Sequence, residues 1–244
     1  MKYTFMENFK DKDPEFYDFY SHFISEEVIN DTTLDDKSRY LSITAVLVGT
    51  KSHELFENML EDLLKYLTAD EIQEVLYQAV AYAGMAKVMD FVGITNEVLL
   101  AHGVHLPLEG QAVVSAETRF DKGLALQKSI FGERIDQMHK NAPENQKHIQ
   151  RYLSANCFGD YQTRGGLDVK TRELLTFSIL VSLGGCELQV KGHIQGNVNV
   201  GNSKVYIQSA LNVDTPEKKA QETFSLRNTG DFFRKIVVLD GSRK

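Results

Sequence analysis

Four side chains in the second half of the chain have types and spacing suited to chemistry. Cys186 and His193 lie seven residues apart. On a helix that is two turns, so both fall on one stripe, with Cα atoms roughly 10 Å apart along the axis. That is too far for an easy direct hydrogen bond, but a substrate or water fits between them. Cys186 follows Gly184-Gly185, at or near a helix N-terminus, where the helix dipole favours a thiolate. Two carboxylates are close in sequence. Glu187 neighbours Cys186 and therefore points from a different helical face. Glu173 stands near the start of a long apolar helix, beside Arg172. Each has a plainer explanation: a lone cysteine is a small apolar core residue, a lone histidine a satisfied core or interface residue, and the glutamates a capping charge and a surface pair. The candidate catalytic set is His193, Cys186, Glu173 and Glu187. Arg172 and Gln189 are the candidate substrate-binding residues. No metal is expected, because His22, His102, His105, His139 and His148 show no ligand spacing. No cofactor is expected either, and there is neither a phosphate-binding glycine loop nor a nucleophile elbow.

The elements that must position these groups occur twice. Shifting the chain by 133 positions lays Leu34-Asp35-Asp36-Lys37-Ser38-Arg39 on Leu167-Asp168-Val169-Lys170-Thr171-Arg172. Over residues 34–55 against 167–188, nine of 22 positions are identical without a gap. The shift is far longer than a solenoid period of roughly 20–50 residues. The chain therefore reads as two similar helical halves sharing a core. In the first half His53 stands at the place of Cys186 and Leu60 at the place of His193, so the site belongs mainly to the second half. Arg39 and Arg172 occupy one place in both halves, as expected of a residue tying a helix start to a neighbour.

Apolar spacing predicts helices from Phe16, from Leu41 to Val48, over 53–66, from Ile72 and over 88–100 in the first half. In the second half it predicts them over 120–131, 135–140, 146–158, 169–183, 186–198 and on to about Leu211. The segments at 41–48 and 169–183 are apolar nearly all round and belong at the centre of a bundle. Asp13-Pro14 is a helix start, and Thr68-Ala69-Asp70-Glu71 a capping-box pattern. The division is a first repeat over 10–106, a linker over 107–115, a second repeat over 116–211 carrying the candidate site, and a divergent tail over 212–244. The tail, with its strand-like Ile236-Val237-Val238-Leu239, is expected to be poorly ordered or an oligomer arm.

Composition bounds the function class. Hydrophobic residues make up 42% and charged residues 25% of 244 residues, ordinary for a soluble globular protein. The formal charge of -7 and the lack of a basic block argue against nucleic acid as a partner. The apolar runs are too short and interrupted to span a membrane, and the N-terminal stretch lacks the apolar region of a signal peptide. Two cysteines, Cys157 and Cys186, fit a reducing cytoplasmic setting.

The segments Arg172-Glu173-Leu174-Leu175, Gly185-Cys186-Glu187-Leu188 and Lys191-Gly192-His193 resemble the carboxymuconolactone decarboxylase family, related to the alkylhydroperoxidase D group. Phe158-Gly159-Asp160, Arg164-Gly165-Gly166-Leu167 and, in the first half, Glu71-Ile72 and Tyr82-Ala83-Gly84 are similar too. The resemblance implies an all-α fold of paired helices, a small-molecule substrate, and a homo-oligomer, a trimer or hexamer-like ring. It also implies two chemistries. In a decarboxylase, His193 would move protons while a carboxylate leaves a lactone, which needs an acid/base near neutrality and stabilisation of an enolate. In a peroxidase, Cys186 would be the thiol activated by a glutamate and His193. Gln189 replaces the second cysteine of that group's C-x-x-C-x-x-x-H motif, and Glu173 falls one residue from its usual spacing. Cys157 resolves Cys186 only if the fold brings the two together. Three functions stay open: a decarboxylase-like enzyme on a small cyclic acid, a thiol peroxidase, and a non-catalytic oligomeric binding protein.

Overall fold

The structure is a computed structural model that describes residues 4–23, 26 and 33–211 of the chain. The tail over 212–244, and with it the expected strand-like patch, lies outside the described residues. The described residues form helices and their connections, with no strand among them. The first half holds α1 (Pro14–His22), α2 (Asp36–Gly49), α3 (His53–Leu63), α4 (Ala69–Ala83) and α5 (Met85–Ala101). After the linker come α6 (Arg119–Phe131), α7 (Arg134–Asn141) and α8 (Lys147–Tyr152), which runs into a π-helical segment, Leu153–Gln162. The chain then forms α9 (Val169–Leu183), α10 (Glu187–Asn199) and α11 (Lys204–Leu211).

The repeated Leu-Asp-x-Lys-(Ser/Thr)-Arg sequence is a helix start in both halves. Asp35 accepts from the Ser38 backbone N–H at 2.9 Å and caps α2. Asp168 accepts from Thr171 N–H at 2.7 Å and caps α9. Each cap satisfies a donor that the first helical turn leaves unpaired. Thr68 and Glu71 form the full capping box at the head of α4.

Helices α2 and α9 are the two copies of one element and pack against each other in the centre. Gly49 and Ser182 occupy equivalent places, and they meet: a Cβ on Gly49 would collide with the Ser182 hydroxyl. Contact between equivalent positions is the mark of a pseudo-twofold axis, as at an isologous interface. The main apolar core lies on the first-half side, around Leu41, Leu47, Phe56, Leu60, Leu76 and Phe91. Helix α6 lies backbone to backbone with the π segment, because a Cβ at Gly123 would meet the Ser154 carbonyl and one at Gly159 the Arg119 carbonyl. The sequence pattern predicts one helix over 146–158. The chain instead widens into the π segment to Gln162, a turn whose period the 3.6-residue apolar pattern does not encode.

The pseudo-symmetry holds in backbone and fails in side chains. Tyr40, at the place of Glu173, is buried and stacks on Tyr66 at 4.1 Å. Leu60, at the place of His193, is fully buried in the core. The first half has thus filled with apolar groups what the second half keeps polar.

Candidate active site

Helix α9 places Glu173 one turn in from its capped start, and α10 places His193 two turns in from its own. The two elements pack together, and His193 Nδ1 lies 2.9 Å from Glu173 Oε2. Glu173 is fully buried, whereas the His193 side chain retains 13% exposure. Because a carboxylate only accepts, Nδ1–H is the donor in this bond, and Nε2 is the ring nitrogen that takes no part in it. Glu173 Oε1 has no hydrogen-bond partner among the described residues. A buried oxygen of that kind is costly to leave unpaired, so it calls for a water or a ligand group.

Neighbouring side chains fix the histidine on two sides. The rings of Tyr82 and Phe131 stand edge-on to its imidazole, with centroids 5.9 and 5.4 Å away. Asn197, one turn further along α10, donates to the backbone carbonyls of Glu173 and His193 at 2.9 and 2.8 Å. It thereby staples α9 to α10 beside the pair. Gly196 lets the two helices approach: a Cβ there would meet the Glu173 carboxylate and the Phe131 ring.

Helix α4 of the first half closes the other side. Glu74, Gln78 and Tyr82 follow one another at intervals of four, hence on one face. Glu74 is fully buried and pairs with Arg172 at 2.8 Å and Arg164 at 2.9 Å. Gln78 accepts from Arg172 Nη1 at 3.2 Å and donates to the Arg172 carbonyl and to Thr176. The Tyr82 hydroxyl meets Gln162 Nε2 at 2.8 Å, Thr176 Oγ1 at 3.2 Å and Cys157 Sγ at 3.6 Å. Burial pushes the Tyr82 hydroxyl well above the ordinary tyrosine range, with the Glu173 charge adding to the effect. Burial likewise pushes the Cys157 thiol up to about 12. Both groups are neutral at physiological pH.

The structure places the other candidates elsewhere. Arg172 is completely buried and faces α4, and its guanidinium is taken up by Glu74, Gln78 and the carbonyls of Arg164 and Gly165. Burial lowers its pKa while the Glu74 partner raises it. It ties the two halves together where its counterpart Arg39 binds locally, to Asp36 and the Leu34 carbonyl. Glu187 and Gln189 are exposed on the first turns of α10. Cys186 is the N-cap of α10. Its sulfur lies 3.1 Å from the Leu180 carbonyl and 3.5 Å from that of Gly184, and it packs on the Val46, Phe177 and Val190 cluster. Cys157 sits in a different cluster, with Ile130 and Phe158. Of the six candidates, the fold joins Glu173 and His193 in one hydrogen-bonded unit.

Sequence reasoning did not single out Tyr82, Gln78, Glu74, Gln162, Thr176, Asn197 or Phe131 as site residues. A signal existed for three of them, since an acid, an amide and a phenol at four-residue spacing is unusual on a largely apolar helix. The others come from elements whose approach no local pattern records. Among the described residues, no helix is long and apolar enough to cross a membrane.

Known proteins bear on this arrangement in two ways. A curated relative, the 4-carboxymuconolactone decarboxylase of Acinetobacter baylyi (strain ATCC 33305 / BD413 / ADP1), is 28% identical over 89 residues. That stretch is 36% of this chain and 66% of the relative, just under two thirds of its length. The model of the carboxymuconolactone decarboxylase family matches twice, over residues 14–97 and 147–223. The first match contains Glu74, Gln78 and Tyr82, and the second contains Glu173, Cys186 and His193. With two matched stretches spanning most of its length and an all-helical, internally duplicated fold, the chain belongs to the carboxymuconolactone decarboxylase family.

Proposed function

We propose that the chain is a decarboxylase-like lyase that acts on a small cyclic acid of the carboxylactone type by acid/base chemistry at His193. The observation that carries this reading is the buried Glu173–His193 pair, with Nδ1 held and Nε2 left to work. In the reaction, the bond between the ring carbon and the substrate carboxylate breaks and CO₂ leaves. The electron pair moves into the conjugated lactone carbonyl as an enolate, and the carbon then takes a proton from His193 Nε2. Glu173 fixes the tautomer and offsets the charge of the imidazolium, as the carboxylate does in a histidine–carboxylate pair. The partly exposed ring recovers its proton from solvent. The thiol alternative is the weaker one. The Cys186 sulfur lies against the Leu180 and Gly184 carbonyls, and Cys157 sits in a separate cluster where burial pushes its thiol up to about 12.

The test is CO₂ release from 4-carboxymuconolactone by the wild-type protein, His193→Ala and Cys186→Ala. Removing a positioned acid/base is expected to cost ~10²–10⁴ in turnover, with little change in Cys186→Ala. Undiminished turnover in a folded His193→Ala protein would sink the proposal. Peroxide-driven sulfenate at Cys186 that slows without His193 would put the redox reading in its place.

A further inference from the structure

Resting on the reading above, we infer that Tyr82 is a second catalytic residue: its hydroxyl is the hydrogen-bond donor to the oxyanion that forms as CO₂ leaves. Hydrogen-bond bookkeeping supplies the case. Arg172 carries only donors, so the Gln78 oxygen must face its Nη1. That fixes Gln78 Nε2 toward the Arg172 carbonyl and Thr176 Oγ1, at 2.8 and 2.9 Å. Gln162 Nε2 spends its two hydrogens on Thr176 Oγ1 and Tyr82 Oη. Thr176 Oγ1 thus accepts two bonds, and its own hydrogen goes to Tyr82 at 3.2 Å. Tyr82 Oη then accepts from Gln162 and from Thr176, which fills both lone pairs. A third donor cannot be accommodated, so the 3.6 Å contact with Cys157 runs from the tyrosine O–H to the sulfur.

The chain of bonds has one direction, set by a buried cation at its far end. Its last hydrogen, on Tyr82, rests against a thiol sulfur, a weak acceptor. Turning that hydrogen to a substrate oxygen therefore gives up little and gains a bond to a charged acceptor. Donation into Tyr82 by two partners polarises its own O–H further, while burial keeps the phenol protonated. The ring stands edge-on to His193, and the unpartnered Glu173 Oε1 lies in the same cluster. The rings that carry a proton donor to carbon and a hydrogen-bond donor to oxygen are therefore neighbours. Thr176 and Gln162 act through Tyr82 and are positioning residues.

The test pairs turnover with binding of tetronate, the ring-conjugated enolate of a five-membered lactone, by calorimetry. Tyr82→Phe is expected to lower kcat by ~10²-fold, as removal of an oxyanion donor does, with KM nearly unchanged. It is also expected to weaken tetronate binding about tenfold, which is one hydrogen bond's worth. Thr176→Val is expected to shift both quantities in the same direction by less, with Thr176→Ser restoring them. Because Thr176→Val keeps the core volume, it decides the matter if Tyr82→Phe does not fold. Wild-type kcat and tetronate affinity in Tyr82→Phe, alongside a dead His193→Ala, would overturn the Tyr82 role and leave the lyase reading standing. An active His193→Ala, or no CO₂ release by the wild type, would overturn the lyase reading instead. Tetronate affinity would then judge Tyr82 alone, and an unchanged value in Tyr82→Phe would end its claim.

Discussion

Replacing Gly196 by alanine adds one methyl group at the closest point of the site. An alanine in a helix interior ordinarily stabilises by about 1 kcal/mol over glycine. Here the new Cβ would stand 2.8 Å from Phe131 Cε1, against 3.4–4 Å for ordinary contact, and nearer still to Glu173 Oε2. Phe131 sits at the end of α6 and is partly exposed, so its ring can give way. Glu173 is fully buried on the central helix, and its carboxylate can move only by leaving His193. Overpacking costs about 1–3 kcal/mol, and a buried acceptor stripped of its partner about 1–3 kcal/mol more. After the helix gain, Gly196→Ala is expected to lose about 1–5 kcal/mol of stability. Gly192→Ala, one turn earlier on α10, is the internal control. Its Cβ meets only Arg134 Nη2 at 3.7 Å, so it should gain up to about 1 kcal/mol. Urea titrations at pH 7 measure both, and the ¹H resonance of His193 Nδ1–H reports whether the pair survives. Equal stability in the two variants, with the Nδ1–H signal unshifted in Gly196→Ala, would refute the reasoning.

Three further outcomes follow from the same geometry. Arg172→Ala should cost about 3–5 kcal/mol, because it leaves the Glu74 charge buried with only Arg164; Arg39→Ala, at the equivalent but more exposed place, should cost far less by the same denaturation assay. Burial works to raise the Asp168 carboxyl, but the Thr171 hydrogen bonds outweigh it and hold its pKa below 3.8. Its contribution is therefore fully present above 3.8 and lost as pH falls through the lower folded value, so Asp168→Asn should flatten the acid limb of the stability profile. The Cys157 thiol, raised from 9.0 to about 12, favours folding below pH 9 and loses that contribution as pH rises toward 12. It should resist maleimide at pH 8 until the protein unfolds, and Cys157→Ala should flatten the alkaline limb.

The sequence by itself determined the helical class, the two copies and their capped starts. It could do so because helix caps and apolar periodicity are local, and a gapless duplication survives as identities such as Leu34, Asp35, Lys37 and Arg39. It also held Glu173 and His193 as candidates, though without joining them, since twenty residues and a turn separate them along the chain. Only the tertiary structure decided that they meet, that Arg172 turns from the site to lock α4, and that Cys186 packs against a carbonyl and an apolar cluster. It also decided that Tyr82 of the first half stands beside His193 of the second. These outcomes depend on which faces of α4, α9 and α10 pack together, and close approaches at Gly49, against α9, and at Gly196, between α10 and α9, are part of that packing. A glycine in a sequence shows where a backbone could come near, but the partner that arrives is chosen by the packing of the whole bundle.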